Sequence, residues 1–282
     1  MTAAAAGAGR LVLVGTPIGN LGDLPPRAVE ALTEADTIAC EDTRRTRALL
    51  SHLGVPGGGR LLAVHDHNEA AAVSDVLRRL DRGERVVVVT DAGMPGISDP
   101  GERLVAAAAA ADHTVEVVPG PSAAVAALVV SGLPTGRFCF EGFLPRKGSA
   151  RAERLAELVA EPRTVVLFEA PHRVRQTIAD LAAAAGDLRR VALVRELTKL
   201  HEEVWRGTLA AAVDHLSEHE PRGEYVIVLD GAPPAPPAGE SDVEDALRSR
   251  IGAGLDKRTA IAEVASTLGV PKRVVYDVAL KI

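Results

Sequence analysis

The sequence predicts an α/β protein of two lobes, with parallel or mixed β-sheets and flanking helices, followed by a small C-terminal helix-turn-helix. Three observations carry that prediction. Through the first part of the chain, continuous apolar runs of four or five residues alternate with longer segments of helical periodicity. In the second part, strand-like runs follow one another more directly. A proline-rich stretch then sets off a short end with the pattern of paired helices.

Residues 1–10, "MTAAAAGAGR", are alanine-rich with no positive region ahead of the apolar stretch, so they read as a disordered leader rather than a signal peptide. "LVLV" (11–14), "TIAC" (37–40), "RVVVVT" (85–90) and "TVEVV" (114–118) read as buried parallel strands. Segments 27–35, 43–53, 69–82 and 101–111 have helical spacing, which gives a β-α-β-α series over a first lobe at 11–120. A second lobe at 121–230 holds "FCFEGFL" (138–144), "TVVLFE" (164–169), "VALVREL" (191–197), "EEVWRGTL" (202–209) and "YVIVLD" (225–230). Its helices fall at 150–160, 174–184 and 210–218, and its sheet is mixed. "GAPPAPPAG" has four prolines in nine residues, which makes 231–240 an extended linker. In the extension at 241–282, "KRTAIAEVASTLG" and "PKRVVYDVALKI" read as helices joined across Gly269 and Val270, with Pro271 at a helix start. Ala262, Ala265, Leu268, Val270, Val275 and Val278 are spaced to pack that pair together.

The chain of 282 residues is 47% apolar and 25% charged, the composition of a soluble globular protein able to bury a core. Its net charge of −6 excludes a polycation, so any nucleic-acid contact must come from local basic patches. No apolar run reaches the ~18 residues of a membrane span. The two cysteines, Cys40 and Cys139, have neither metal-like spacing nor a disulfide framework, which fits a reducing cytoplasm.

Three Gly/Pro-rich turns close apolar strands: "GTPIGN" (15–20), "TDAGMPGISDPG" (90–101) and "PGPSA" (119–123). Ligands of open α/β sheets bind beyond the carboxyl ends of the strands, so the three point to one crevice. Taken singly, each is also an ordinary turn with turn residues. The first lacks the G-x-G-x-x-G spacing, no Gly-Lys-Ser/Thr closes it, and Pro17 has no N–H for an anion. It is shaped for a ligand other than a phosphate. Ser122 stands at a predicted helix start, placed to cap that helix or to meet a ligand.

"GTPIGNLGD", "CEDTRRTR", "TDAGMPGISDPG", "PGPSA", "GFLPRKG", "FEAPHR" and "RELTKLHEE", in that order, resemble the RsmI family of 16S ribosomal RNA cytidine 2′-O-methyltransferases, which have the tetrapyrrole-methylase fold. The likeness runs from about residue 11 to 230, and the last segment is similar to the family's small helix-turn-helix extension. It implies S-adenosylmethionine bound between the lobes, a homodimer, and 16S rRNA within the small ribosomal subunit as partner, with cytidine-1402 of the decoding centre as target. Neither a metal nor a membrane is implied. The cofactor contacts it implies are Pro17 and Ile18; Asp91, Ala92, Gly93 and Ile97; Ser122 and Ala123; and Glu169 and Leu197. S-adenosylmethionine carries no phosphate, which agrees with the turn chemistry.

One departure is informative. Tetrapyrrole-modifying relatives have an aspartate at the end of a G-x-G-P-G-D loop, where this chain has the neutral Asn20. In its place come charged elements: three arginines against two acids over 41–47, and four basic residues against one acid over 144–154. Arginines at helix starts oppose the helix dipole, so they imply either a phosphate-bearing substrate or a solvated surface. Arg45, Arg146, Lys147, His172 and Arg173 are the candidate RNA contacts. Alternation puts Phe138 and Phe140 on a core face and Phe143 opposite, free to stack on a base. For methyl transfer to a ribose hydroxyl, Asp42, Glu169 and Glu196 are candidate proton acceptors, and Arg44, Arg173 and Lys199 candidate cations. A structural alternative pairs Glu196 with Lys199. "HDHNE" (65–69) offers a His-x-His with no third ligand, for substrate contact rather than metal. Two other functions stay open: a small-molecule methylase of the same fold acting on a tetrapyrrole, and a non-catalytic regulator that binds DNA. The 7 acidic and 7 basic residues of 240–282 count against the regulator.

Overall fold

The structure is a computed structural model that describes residues 9–65, 68–234 and 238–282. The leader lies outside the described residues up to Ala8, and Asp66, His67 and 235–237 do so as well. The β-branched runs of the first part become β1 (Arg10–Val14), β2 (Thr37–Cys40), β3 (Leu61–Ala63), β4 (Arg85–Val89) and β5 (Thr114–Val118). They form one parallel sheet in the order β3-β2-β4-β1-β5, so β1 sits between β4 and β5. Its connections carry α1 (Pro26–Glu34), α2 (Thr43–His52), α3 (Glu69–Asp81) and α4 (Glu102–Ala110). The sequence missed β3, because three residues are too few to show a period.

The second sheet is built from β6 (Phe138–Phe143), β7 (Thr164–Glu169), β8 (Arg190–Arg195), β9 (Glu203–Thr208) and β10 (Tyr225–Leu229), in the order β6-β7-β10-β8-β9. Only β6 and β7 run parallel, and the crossover between them is α6 (Ser149–Ala160). α7 (Pro171–Ala185) and α8 (Leu209–Glu218) pack on one face through Ile178, Leu181 and Leu216. The other face is covered by α5 (Ala123–Ser131), which is apolar on every side. α7 starts three residues earlier than its periodicity predicts, because Pro171 fits the first helical turn. β8 ends at Arg195, before the predicted end at 197, because Glu196 and Thr198 take left-handed φ values of 50° and 64°.

One apolar core joins the lobes: Ile18 from the turn after β1 packs with Ala127 and Leu128 of α5 and with Ala192, Val194 and Val226 of the second sheet. The chain divides after Ala232, and Pro233–Ile282 is a separate unit. That unit holds α9 (Glu240–Gly252), α10 (Lys257–Leu268) and α11 (Lys272–Ala279), packed on Val243, Leu247, Val264 and Val275. α10 ends at Gly269, left-handed at φ 62°, as a helix C-terminus favours. α9 is a helix beyond the pair read from the sequence.

A close backbone approach in the first lobe fixes the ends of β1 and β5. A Cβ on Gly15 would lie 2.7 Å from both Cα and N of Gly120, and one on Gly120 would lie 2.8 Å from the Gly15 backbone. Gly15→Ala is expected to lower stability by about 1–3 kcal/mol, the cost of forcing atoms into a filled site. Gly58→Ala, with nothing within 4 Å of the new Cβ, should stay within about 0.5 kcal/mol of wild type. Urea unfolding of the two variants checks this, and equal midpoints would show that the turns are free to separate.

Candidate functional site

Backbone bonds tie the turns after β1, β4 and β5 into one unit. Thr16 N–H donates to the Gly93 carbonyl at 2.9 Å and Gly93 N–H returns a bond to Thr16 at 3.1 Å. The buried Thr16 hydroxyl donates to the Thr90 carbonyl at 3.1 Å, and Gly15 N–H donates to Val118 at 3.0 Å. Gly93 needs its glycine, since its φ is 90°. From the second lobe the turn after β8 presses on the same unit, and a Cβ on Gly19 would collide with Lys199 and Thr198.

A cavity of about 320 Å³ opens between these turns and the second sheet. Ile18, Ala92, Gly93, Ile97, Ser122, Ala123, Glu169 and Leu197 line it, which brings together eight of the ten residues marked in the sequence as cofactor contacts. Ser122 holds the N-cap position of α5 but makes no capping hydrogen bond, so its hydroxyl is left to face the cavity. The sequence missed Glu224, Tyr225 and Val226, which line the same space. Tyr225 pairs with Glu169 on one side and Arg195 on the other, so only the strand order brings β10 there. No periodicity carries that signal. The charged side chains on the lining are Asp99, Glu169 and Glu224, with no lysine, arginine or histidine among the described residues.

The other two marked residues, Pro17 and Asp91, line a second cavity of about 300 Å³, together with Thr16, Thr90, Arg45 and His52. The same turns wall both spaces: Pro17 faces one and Ile18 the other, Asp91 one and Ala92 the other. Arg45 approaches Asp91 at 3.4 Å, and the Asp42 N–H reaches the second Asp91 oxygen at 3.3 Å. Both are long contacts for a carboxylate.

The candidate catalytic groups are largely engaged with one another. Asp42 caps α2 and accepts from Arg44 through backbone N–H at 2.7 Å and guanidinium at 2.8 Å. Those bonds hold the Asp42 carboxyl well below the usual carboxylate range, which makes it a weak proton acceptor. Glu196 and Lys199 pair at 3.0 Å, as the structural alternative has it, and Lys199 also meets Glu224 at 2.7 Å. Burial pushes Glu196 up, but the Glu224 N–H and Lys199 outweigh it and leave it below its ordinary value. Burial pushes Lys199 down, and Glu224 and Glu196 reverse that and raise it.

Two of the four basic residues over 144–154 are committed as well: Arg151 to Asp180 and Arg154 to Glu141 and Glu157. Arg146, Lys147 and His172 remain exposed, without a hydrogen bond or ion pair among the described residues. Phe143 departs from the parity argument. A bulge between Phe140 and Gly142, with Gly142 at φ 59°, shifts the register by one residue. Phe140 and Phe143 therefore both meet Phe168 edge-on, at 5.0 and 5.7 Å, and Phe143 lines the first cavity. Phe138, assigned to the core by the same parity, is 39% exposed. The His-x-His includes His67, outside the described residues. Among the described residues no three metal-ligating side chains cluster, and no helix is long and apolar enough to cross a membrane.

Residues 10–213 match the family model of tetrapyrrole (corrin/porphyrin) methylases. Proteins named ribosomal RNA small subunit methyltransferase I are similar over nearly the whole chain. The one from Synechocystis is 45% identical, covering 97% of this chain and 98% of its own. Those from Mycobacterium tuberculosis and Escherichia coli O157:H7 are 46% and 42% identical, each covering 97% of this chain and 95% of their own. Among solved structures, diphthine synthase has a TM-score of 0.61 at 14% identity, covering 79% of this chain and 90% of its own. The methyltransferase CobJ has 0.60 at 20%, covering 80% and 95%. Those likenesses show the fold.

Glu169 is the buried hub of the first cavity's wall. It accepts from Ala170 N–H at 2.9 Å and the Thr177 hydroxyl at 2.6 Å, and pairs with Arg173 at 3.2 Å. Arg173, marked as an RNA contact, also donates to the Leu144 carbonyl at 2.7 Å and so ties α7 to the end of β6. Arg173→Met strands a carboxylate only 2% exposed and is expected to cost about 3–5 kcal/mol in urea unfolding. His172→Ala, beside it on the surface, should change stability by less than about 0.5 kcal/mol. Equal stability of the two variants would mean that Arg173 is a free surface cation.

Proposed function

We propose a function from one premise: the chain belongs to the tetrapyrrole methylase family and, within it, to the ribosomal RNA small subunit methyltransferase I family. The chain transfers a methyl group from S-adenosylmethionine to the ribose 2′-hydroxyl of a decoding-centre cytidine, cytidine-1402 of 16S rRNA, within the small ribosomal subunit. The observation that carries this reading is the pair of cavities sharing one set of turns, one whose charged lining among the described residues is acidic and the other carrying Arg45 and His52 with Asp91.

The first cavity fits S-adenosylmethionine by its chemistry. Ile18, Ile97, Leu197 and Val226 offer apolar walls for an adenosine, and the charged side chains on the lining among the described residues are carboxylates, the sign that suits a sulfonium. A phosphate-bearing cofactor would meet no cation on the described lining, since Arg173 and Lys199 behind it are held by Glu169 and Glu224. The start of α5 at Ser122 and Ala123 gives donors for the polar end of the ligand. When bound, the cofactor supplies an electrophilic methyl group on its sulfonium sulfur.

The chain's own residues supply position and a proton acceptor. Arg45 holds an RNA phosphate at the second cavity, and Arg146, Lys147 and His172 extend the positive edge. Asp91 is the carboxylate of that cavity, and its contacts at 3.3 and 3.4 Å are looser than the 2.7 and 2.8 Å bonds that lock Asp42. We therefore assign Asp91, rather than Asp42 or Glu196, to steer and accept the 2′-hydroxyl proton. The Thr16–Gly93 bridge fixes both sides of the turns, so alignment of the hydroxyl is preorganised.

The homodimer belongs to the same proposal. Val125 and Val129 lie one turn apart on the outer face of α5, 50% and 66% exposed, and Val117 of edge strand β5 is 52% exposed. A helix apolar all round is a buried helix, so this face suits a second copy. Val129→Glu is expected to leave monomers in sedimentation equilibrium, whereas an unchanged dimer would move the interface elsewhere.

Methyl transfer from labelled S-adenosylmethionine to small subunits lacking the modification tests the function. Label on one decoding-centre cytidine ribose is expected, and no label from protein that binds the cofactor would overturn the ribosomal assignment. Ala92→Phe, at an exposed position on the cavity wall, should weaken cofactor binding by about tenfold or more. Asp91→Asn should keep cofactor affinity and lower kcat by roughly 10²–10⁴. Arg45→Glu should keep cofactor affinity and raise KM for subunits, and a matching loss of cofactor binding would refute two separate sites.

A further inference from the structure

Residues 240–282 carry seven acidic and seven basic side chains, and the fold sorts those charges unevenly. Glu240 pairs with Lys281, Glu244 with Arg248, and Glu263 with Arg250. Asp242 accepts from Gly239 N–H at the start of α9, and Asp256 caps α10 by accepting from Thr259. Asp277 adds its field to the Lys281–Glu240 pair. On the other side, the side chains of Arg258, Lys272 and Arg273 make no hydrogen bond or ion pair among the described residues. Lys257 has only a long bond of 3.3 Å to the Ala279 carbonyl.

These four cations occupy the first two positions of α10 and of α11, where the helix dipole disfavours positive charge. Asp256 at its cap offsets that cost for α10, whereas α11 starts at Pro271 with no acidic side chain in its first turn. Three of the cations meet at a cavity of about 460 Å³ between α10 and α11, lined by Lys257, Arg258 and Lys272, with Ile261 and Leu280 as its apolar walls and Tyr276 beside them. Tyr276 is one of two tyrosines in the chain and is 53% exposed.

We propose that this cavity binds single-stranded RNA, with Lys257, Arg258, Lys272 and Arg273 on successive phosphates and Tyr276 stacked on an unpaired base. The charge complements a polyanion, and an exposed ring above apolar walls takes the face of a base, which a duplex keeps hidden in its stack. Assigning that RNA to the small ribosomal subunit rests on the function proposed above, whereas the binding chemistry stands on these residues alone. The evenness of total charge that counts against nucleic acid in the sequence is thus undone by its placement.

The test uses the full chain, titrated into a fluorescent single-stranded oligoribonucleotide at several salt concentrations and read by anisotropy. Lys272→Glu with Arg273→Glu is expected to weaken binding by about tenfold or more and to flatten the salt dependence. Both substitutions favour the helix dipole, so lost affinity is not lost fold. Tyr276→Ala should lose about fivefold or more, and Tyr276→Phe should bind as wild type does. Unchanged affinity in the double variant, or duplex DNA bound as tightly as the single strand, would overturn the proposal. Failure of methyl transfer by wild type to subunits sinks the ribosomal reading and leaves the anisotropy result standing.

Discussion

The contact of Gly15 against Gly120, backbone on backbone, is the constraint on which the site depends. With no side chain on either residue, the turns after β1 and β5 close to a separation that any Cβ would forbid. The Thr16–Gly93 bridge then adds the turn after β4, so three strand ends share one rigid wall. Successive residues of that wall face opposite ways, which makes two cavities from a single set of turns.

Charge gives those cavities different chemistry. The charged side chains on the first, among the described residues, are carboxylates, and two of them, Glu169 and Glu224, are held by Arg173 and Lys199. The second carries Arg45 and His52 opposite Asp91. The fold neutralises charges locally, at the first cavity as elsewhere. Asp42 with Arg44, Glu196 with Lys199, and Glu169 with Arg173 each form a pair that caps a helix, closes a turn or ties two elements. A proton acceptor that is hydrogen-bonded to its own cation is a poor base, which shifts attention to the loosely held Asp91.

Much of the fold was legible in the sequence because its strands are continuous apolar runs bounded by glycine and proline. The turns of the site were legible for the same reason: Gly15, Gly93 and Ser122 stand at strand ends, where ligands bind. What stayed hidden depended on distance along the chain. Tyr225 reaches the first cavity through strand order, and the half-exposed Phe143 ring turns toward that cavity through a one-residue bulge that no alternation rule foresees. Arg151 counts among the basic residues of 144–154 in the sequence, and its partner Asp180 is 29 residues away, whereas Arg173 has its carboxylate partner Glu169 only four residues off. α5 shows no amphipathic period because it serves a core on one side and stays apolar on the other.

The claim that the first cavity takes a sulfonium and excludes a phosphate is the one from which the methyl-transfer reading follows. Calorimetric titration of the wild-type chain with S-adenosylmethionine and, separately, with ATP tests it, because the two ligands share adenosine and differ in the sign of the charge attached to it. The account requires saturable binding of S-adenosylmethionine, with ATP weaker by at least about a hundredfold, or about 2.7 kcal/mol. ATP bound as tightly as S-adenosylmethionine would contradict it.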